Sequence, residues 1–549
     1  MESRLPSLPW EVLYMIIDQV RCQHCQSVLS RACKSFHSHL TPRVWETLQI
    51  VELLRNEQHQ HMDARGRCAE SHSLRLPVPE TDEHANLETP RLPGQLYDNG
   101  PQVIFPHLLV VLSTMIRTPK LRQYVKHLRI RRTYWWGKPP YPLDKKSLTD
   151  LQIIAGRNVE LANGVLRAVR DAAGDSSGAQ RWIRDLSIPN SGNAYLAVML
   201  SILSGKLLSL DVLEGGALEA NRPQDARTLM FEWLRYQDPG KRFDTSRFSS
   251  LERLVIRYHS EHWQSQIMKP QAPFKFISRF SNAHDLTIHG GNLQHPPRGF
   301  RFNLCPSIRR LELDSCVFEH DFTDLEVILD RLPTLVTLCI VFDRRTYVDH
   351  EDVSPIPRPT ALLPDLLMDV LAIRGDTLQN LTIGLKKPEG LPWFPVDEYA
   401  EQSLKDFTKL KRLHIDDGLY SACNGDDFEF DCQLTNALPP QLEELRLMID
   451  TEFSSRPHET MIHLLNHMKS HVPGLQRLIV DADWKWLRKN TKAVLELEEL
   501  CEEQDVECIV LRNGVQGSYV PPDAPLEDLQ PWQRTAARTR KDWRDLLVM

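Results

Sequence analysis

The sequence predicts an α/β protein in which short parallel strands form one face of a repeat array and helices form the other. Three observations support this prediction. Copies of an apolar-x-x-Leu-x-apolar pattern recur along the chain, a turn residue precedes many of them, and an amphipathic helical stretch lies upstream. The predicted unit is a helix, a turn and a short strand, and such units bury their apolar edges by stacking into a solenoid.

The order of the copies along the chain supports a repeat array, whereas a single copy does not, because a chain this apolar contains single copies by chance. From Leu251 onward the copies are separated by about 25 to 43 residues. The copies are VKHLRI, IRDLSI, LLSLDV, LERLVI, AHDLTI, IRRLEL, LVTLCI, LQNLTI, LKRLHI, LEELRL and LQRLIV, with a looser one at VECIVL. An ordinary α/β domain with parallel strands is the alternative to a solenoid.

The leucines of the best copies predict the interior of the array. Because successive side chains of a strand point to opposite faces, the conserved spacing of the pattern places one leucine of each strand at the same level. We expect these side chains to point inward from parallel strands that are stacked in chain order. They are Leu311, Leu338, Leu381, Leu413, Leu445 and Leu478.

Composition disfavours nucleic acid and membrane as partners. The 549 residues are 41% hydrophobic and 25% charged, with a formal net charge of -7, which disfavours nucleic acid as a ligand. The sequence contains no run of about 18 uncharged apolar residues that could span a bilayer. Eleven cysteines at irregular spacing, without a secretory signal, indicate reduced thiols. We therefore expect a cytoplasmic or nuclear protein, or one found in both places, with neither nucleic acid nor membrane as partner.

The first 50 residues predict tandem amphipathic helices. In LPSLPWEVLYMIIDQV, apolar residues recur at helical spacing after Pro9, which suits a first helical turn. A second helix follows, with Leu29, Cys33 and Phe36 on one side, and Pro42 is predicted to end it. The next segment, LTPRVWETLQI, adds further apolar residues. A unit of about 50 residues has too little interior to bury the apolar sides of all these helices, so we expect it to need a partner.

These residues resemble an F-box, whose pattern is Leu-Pro-x-Glu, an apolar helix, a loop, a second helix and a tryptophan. The sequence departs from that pattern at Cys33, where an aliphatic residue is usual. The rest of the chain resembles the degenerate leucine-rich repeats of many fungal F-box proteins. The F-box docks on the Skp-type adaptor of SCF cullin ubiquitin ligases, and the matching positions are Leu8, Pro9, Glu11, Leu13, Ile16, Ile17, Leu29, Cys33, Phe36 and Trp45.

The resemblance, together with the polar composition after residue 54, predicts the domain organisation. We expect an F-box at 1–54, a flexible polar linker at 55–102, a leucine-rich-repeat-like solenoid at 103–515, and a tail with a capping helix at 516–549. An ordinary helical hairpin that packs on the rest of the chain is the alternative to the F-box.

The resemblance implies a substrate receptor that is not itself an enzyme. The F-box would hold the adaptor and through it a cullin ligase, the solenoid would hold an unknown target protein, and other subunits would supply the chemistry. The alternative is a scaffold or interaction protein with the same modules that acts outside a ligase.

The target surface is expected on the strand face opposite the leucines. Side chains that alternate with the buried leucines project from that face, and their mixed charge suits a polar protein or peptide partner. A solvated sheet face without a partner is the alternative. The candidate residues are Arg257, His289, Glu312, Asp314, His414, Asp416, Arg446 and Asp481.

Catalytic and metal-binding motifs are not expected. The sequence has no G-x-S-x-G elbow, Walker loop, H-E-x-x-H or Rossmann glycine motif. Cys22, Cys25, Cys33 and His37 are residue types that hold zinc. However, Cys33 belongs to the apolar stripe of its helix, whereas His37 lies next to that stripe. One metal ion could not bind both of them and the Cys22 and Cys25 pair without disturbing the helix. We therefore expect no enzyme activity, metal or cofactor.

Overall fold

A computed structural model describes residues 30, 34–52, 106–132, 159–173, 177–186, 192–214, 248–258, 282–290, 293, 305–318, 321–343, 364–386, 404–416, 431–449, 457–482 and 484–512. These residues form two compact units. The first unit contains the described residues up to Tyr258 together with Asn282, and the second contains those from Ala283 onward. The predicted linker at 55–102 and the predicted tail at 516–549 lie outside the described residues.

The described part of the first unit contains four parallel strands that pair in chain order. One leucine from each strand lies in register with the next, from Leu48 through Leu128 and Leu210 to Leu254, and all four are fully buried. The strands are β1 (Thr47–Glu52), β2 (His127–Arg132), β3 (Ser209–Glu214) and β4 (Arg253–Tyr258).

Hydrogen bonds from two buried side chains join two helices of the first unit. The indole Nε1 of Trp182 donates to the carbonyl of Ala194 at 3.0 Å, and the Tyr195 hydroxyl donates to the carbonyl of Leu186 at 3.3 Å. These bonds tie α4 to α5. The helices are α1 (Lys34–Glu46), α2 (Pro106–Arg117), α3 (Val159–Ala173), α4 (Ser177–Leu186) and α5 (Gly192–Leu203), with a 3-10 helix at Pro119–Tyr124.

Two sequence predictions about this unit are wrong, and the first concerns IRDLSI. This copy of the strand pattern begins at Ile183, inside helix α4. Ala179, Trp182 and Leu186 are buried at the i, i+3 and i+7 positions of that helix, so the helical period of the apolar residues outweighs the local resemblance to a strand.

The second concerns Pro42, which lies inside α1 and does not end it. Phe36, Leu40 and Val44 form one buried cluster along the helix, and burial of this stripe continues past the proline. Leu48 and Ile50 then lie in β1, which pairs with β2. The parallel sheet therefore begins before the polar segment at 55–102 and not after it.

The described part of the second unit contains eight parallel strands, again in chain order. The prediction for the six leucines is confirmed, because Leu311, Leu338, Leu381, Leu413, Leu445 and Leu478 pair in register from strand to strand and are at most 1% exposed. The arrangement is compatible with a solenoid. The strands are β5 (Asp285–His289), β6 (Arg310–Asp314), β7 (Thr337–Asp343), β8 (Asn380–Lys386), β9 (Arg412–Asp416), β10 (Glu444–Ile449), β11 (Arg477–Ala482) and β12 (Glu507–Arg512).

Helices connect these strands, as the sequence predicts for the segments before Leu335, Leu378 and Leu475. They are α6 (Thr323–Asp330), α7 (Pro364–Ala372), α8 (Asp431–Ala437), α9 (Pro457–His471), α10 (Trp484–Lys489) and α11 (Thr491–Glu503), with a 3-10 helix at Leu404–Asp406. Among the described residues, none of the helices combines the length and the apolar character needed to cross a bilayer.

In the second unit, a repeated backbone contact sets the start of strands β6 to β11. The carbonyl of Arg309 accepts hydrogen bonds from the amides of Val336 and Thr337, and the carbonyl of Val336 accepts from the next two amides, of Gln379 and Asn380. The same contact recurs before β9, β10 and β11. We call this contact the two-amide turn. It fixes the register of each strand from the turn of the preceding repeat.

Candidate functional site

The sheet face of the second unit opposite the leucines is the candidate site, and we call it the polar face. Because side chains alternate along a strand, its residues fall into rows that run across the sheet. The first row is Asp285, Arg310, Thr337, Asn380, Arg412, Glu444, Arg477 and Glu507, and the second is Thr287, Glu312, Cys339, Thr382, His414, Arg446, Ile479 and Ile509.

A chain of charged contacts joins four strands of this face. His414 Nε2 lies 2.8 Å from Glu444 Oε1, and Arg477 Nη1 donates to Glu444 Oε2 at 2.8 Å. Arg477 Nε also donates to Glu507 Oε2 at 2.7 Å. The Glu444 side chain is 9% exposed whereas that of Glu507 is 56% exposed, so the contacts run from the interior of the sheet to its surface.

These contacts determine the ionisation of Glu444. The pKa of Glu444 is lowered to about 2, chiefly by the hydrogen bond from His414 and also by Arg477, and these contacts outweigh the opposite effect of burial. The hydrogen bonds to Glu507 and then to Glu444 raise the pKa of Arg477. Both groups therefore remain charged, and Glu444 serves as an acceptor and not as a proton donor at neutral pH.

Acid is expected to destabilise the second unit through Glu444. Because folding lowers the pKa of this carboxyl from 4.5 to about 2, its contribution to stability is complete above pH 4.5 and is lost as the pH falls toward 2. Urea unfolding measured across this pH range should show a shallower loss of stability for Glu444→Gln than for the unchanged chain. Glu507→Gln, at an exposed end of the network, is the matched control, and equal slopes for Glu444→Gln and the unchanged chain would contradict the prediction.

A second charged pair is buried between β10 and β11. Arg446 Nε donates to Asp481 Oδ2 at 3.1 Å, and Arg446 Nη2 also donates to Asp481 Oδ2. Each side chain is 6% exposed. The two residues are diagonal neighbours, because Arg446 is in register with Ile479 and Asp481 is in register with Met448. The Asp481 carboxylate thus depends on the Arg446 guanidinium for compensation of its burial.

Polar contacts also occur where β5 and β6 end. His289 Nδ1 lies 2.9 Å from Asp314 Oδ2, and the Ser315 hydroxyl contacts Asp314 Oδ1 at 2.8 Å and Asp343 Oδ2 at 3.4 Å. Ser315 adopts a positive φ of 58°, a backbone conformation that few residues other than glycine take. Its amide donates to the carbonyl of Val341. These contacts order the carboxyl ends of three adjacent strands.

The eight residues predicted for target binding divide between the two units. Arg257 lies in the first unit and contacts Asp211 at 3.1 Å, whereas the other seven lie on the polar face. The structure brings His289 to Asp314 and Arg446 to Asp481. Five of the seven are only 4 to 8% exposed: Glu312, His414, Asp416, Arg446 and Asp481. These five residues therefore offer little exposed surface to a partner.

Sequence reasoning missed Glu444 and Arg477, which connect the charged contacts of β9 to β12. Alignment of the repeats on their leucines gives the signal that identifies them. Each stands one position before the aligned leucine, Leu445 or Leu478, so the two are opposite each other in parallel strands. Their charges are opposite, and opposite charges at directly paired positions of a sheet attract.

The accessible part of the polar face lies near the start of β9 to β12. Arg477 and Glu507 are 42% and 56% exposed, and just before β9 and β10 the surface pair Lys411–Glu443 has an Nζ–Oε1 distance of 2.7 Å. The described residues contain no group of three or more His, Cys, Asp or Glu placed to hold a metal ion. What the face offers is therefore a set of fixed charges of both signs, suited to hydrogen bonding with a polar partner.

The residues predicted for adaptor binding fall mostly outside the described part of the chain: Leu8, Pro9, Glu11, Leu13, Ile16, Ile17, Leu29 and Cys33. Two lie within it. Phe36 belongs to the buried cluster with Leu40 and Val44, and Trp45 packs against that cluster while partly buried.

Comparison with known proteins gives little. No family model matches the chain, and no curated protein matches it. Among solved structures, the crystal structure of a protein from Bacteroides fragilis matches with 16% identity and a TM-score of 0.28, over 58% of this chain and 83% of that one. A TM-score this low carries no conclusion about fold or function.

Proposed function

We propose that the chain is the substrate-recognition subunit of an SCF-type cullin E3 ubiquitin ligase, with an N-terminal F-box and an irregular leucine-rich-repeat solenoid. In this proposal the parallel strands form one face of the solenoid and the helices the other. The chain itself catalyses no reaction, and it acts in the cytoplasm, the nucleus or both.

The observation that carries the proposal is the strand register of the second unit. Seven of the eight strands, in chain order, bring one leucine after another to the same level, which is the stacking that leucine-rich repeats use, and Cys508 takes this position in β12. Cys316 gives further support, since it stands at the last position of the L-x-x-L-x-L-x-x-C pattern that begins at Ile308. Its thiol contacts the carbonyl oxygens of Ile288 and Gly290 at 3.6 and 3.3 Å.

The polar face is the proposed target-binding surface. Its buried pairs hold the strands in fixed register, and its exposed charges near the start of β9 to β12 are available to contact a partner. A polar protein or peptide suits such a surface, because several neighbouring strands present charges to it at once.

The structure of the first unit restricts which variants can test adaptor binding. Removal of residues 1–54 would delete β1, which pairs with β2, and would break the contact between Glu46 Oε1 and Lys126 Nζ at 2.7 Å. Loss of binding in that deletion would therefore not distinguish a docking defect from a folding defect. Point changes at Leu8 and Pro9 leave α1 and β1 unchanged.

Leu8→Ala with Pro9→Ala is expected to reduce capture of a Skp-type adaptor at least tenfold, because apolar residues in the centre of an interface contribute about 2 kcal/mol or more each. Affinity capture of adaptor and cullin from cells measures this. The matched control truncates two exposed apolar side chains, Val159→Ala with Leu366→Ala, and should leave capture unchanged.

Unchanged capture in the Leu8 and Pro9 variant would contradict the F-box assignment. Capture of the adaptor without cullin by the unchanged chain would favour the alternative, a scaffold that acts outside a ligase.

A further inference from the structure

The strand face of the first unit carries an excess of positive charge. Three of the described side chains opposite its leucines are arginines, and Asp211 is the only acidic one among them. We call this surface the basic face. Its described side chains are Thr47, Gln49, His127, Arg129, Ser209, Asp211, Arg253, Val255 and Arg257.

Asp211 does not neutralise this charge. Arg257 Nε donates to Asp211 Oδ1 at 3.1 Å, and the Asp211 side chain is 11% exposed. Arg129 and Arg253 are half-buried and belong to the two strands that flank β3, the strand of Asp211. Because one carboxylate balances one guanidinium, the three arginines and Asp211 together keep a formal charge of +2.

The polar face of the second unit has no such excess in its first two rows. The first row contains three arginines and three carboxylates, and the second row contains one arginine and one carboxylate. The chain as a whole has a formal net charge of -7. A local excess of arginines in an acidic chain therefore directs an anionic partner to the first unit.

The spacing of the arginines suits an extended acidic peptide. Neighbouring strands are about 4.8 Å apart, so β2 and β4 are about 10 Å apart, and side chains on one side of an extended peptide recur every ~6.8 Å. A guanidinium donates two parallel hydrogen bonds to a carboxylate, and partial burial strengthens such contacts. Nucleic acid fits less well, because proteins that bind it tightly neutralise roughly six or more phosphates.

We propose that the basic face binds an acidic peptide segment of the target protein, with Arg129, Arg253 and Arg257 contacting its carboxylates. The inference rests on the proposed function, to which it adds the class of substrate. Peptide binding to the first unit requires neither adaptor nor cullin, so the two proposals are tested separately. Loss of adaptor capture would count against the F-box, whereas absence of peptide binding would count against the basic face alone.

Fluorescence anisotropy of a labelled octapeptide of alternating glutamate and serine, titrated with the full-length chain, tests the basic face. We expect this peptide to bind about tenfold more tightly than its glutamine and serine counterpart. Arg129→Gln with Arg253→Gln should weaken binding of the acidic peptide about tenfold, because it removes two of the three cations. The matched control removes two exposed cations of the second unit, Lys409→Gln with Arg412→Gln, and should leave the affinity unchanged.

Asp211→Asn separates a charge effect from a folding defect. It removes the competing carboxylate and keeps a carbonyl oxygen to which Arg257 can donate. This variant should bind the acidic peptide about threefold more tightly, a change that misfolding does not produce.

Equal affinity for the two peptides would overturn the proposal. So would equal losses in the two double variants, or an affinity of Asp211→Asn no higher than that of the unchanged chain. Tighter binding of a single-stranded oligonucleotide that carries the same charge as the acidic peptide would also overturn it, in favour of nucleic acid as the partner.

Discussion

The Arg446→Met variant is expected to lose about 3 to 5 kcal/mol in the free energy of unfolding of the second unit, because the change leaves the Asp481 carboxylate buried without its cation. Asp481 is 4% exposed, so water does not replace the guanidinium. Urea unfolding followed by tryptophan fluorescence measures the loss.

Two further variants test whether the loss comes from the broken ion pair and from its burial. Arg477→Met removes an arginine from the same strand pair, but this side chain is 42% exposed and we expect a loss below about 1 kcal/mol. Arg446→Met combined with Asp481→Leu removes both charges and should recover most of the stability. A double variant no more stable than Arg446→Met alone would contradict this account.

The Leu445→Ala variant is expected to lose about 2 to 5 kcal/mol in the free energy of unfolding, since it removes a fully buried side chain from the leucine row. Leu445 is in register with Leu413 on one side and Leu478 on the other, so rigid neighbours surround the resulting cavity. The same urea experiment measures the effect.

Leu495→Ala is the matched control for this change. Leu495 lies on α11 and is 39% exposed, so its truncation removes little buried area. We expect an effect within about 0.5 kcal/mol, as for most surface substitutions. Similar losses for Leu445→Ala and Leu495→Ala would show that the leucine row does not determine the stability of the unit.

The sequence was most informative where the spacing of apolar residues along one segment is enough to identify the side of that segment that is buried. Leu311 through Leu478 were predicted in register because a spacing of two along each strand identifies the buried face without knowledge of the neighbouring strand. Local patterns do not identify a strand where a distant segment decides the outcome. Leu48 and Ile50 lie in a strand because residues 127–132, far along the chain, supply its hydrogen bonds.

Helix and strand predictions also conflict where the spacing of the apolar residues fits both a helix and a strand. Ile183 begins a good copy of the strand pattern, yet Trp182 and its partners are buried at helical spacing. Pro42 removes one amide donor from α1, but burial of Phe36, Leu40 and Val44 continues past it. In both places the wider apolar stripe, and not the short motif, gave the correct answer.

The candidate site was predicted as a face but not as a set of contacts. The alternation of side chains identified Arg446 and Asp481 as residues opposite the leucines. It did not show that they pair diagonally, because that contact depends on the register between β10 and β11. Exposure was also beyond sequence reasoning, since five of the predicted residues are nearly buried.

The two-amide turn has a consequence for how such a protein diverges. Asp285 and Arg310 are 25 residues apart and Thr337 and Asn380 are 43 residues apart, yet both pairs are in register. Because strands β6 to β11 each take their starting position from one carbonyl of the preceding repeat, the length of the connecting segment does not determine the register. Insertions and deletions in the connections therefore leave the strand register unchanged, and a lineage can change the length of these loops without rebuilding its core.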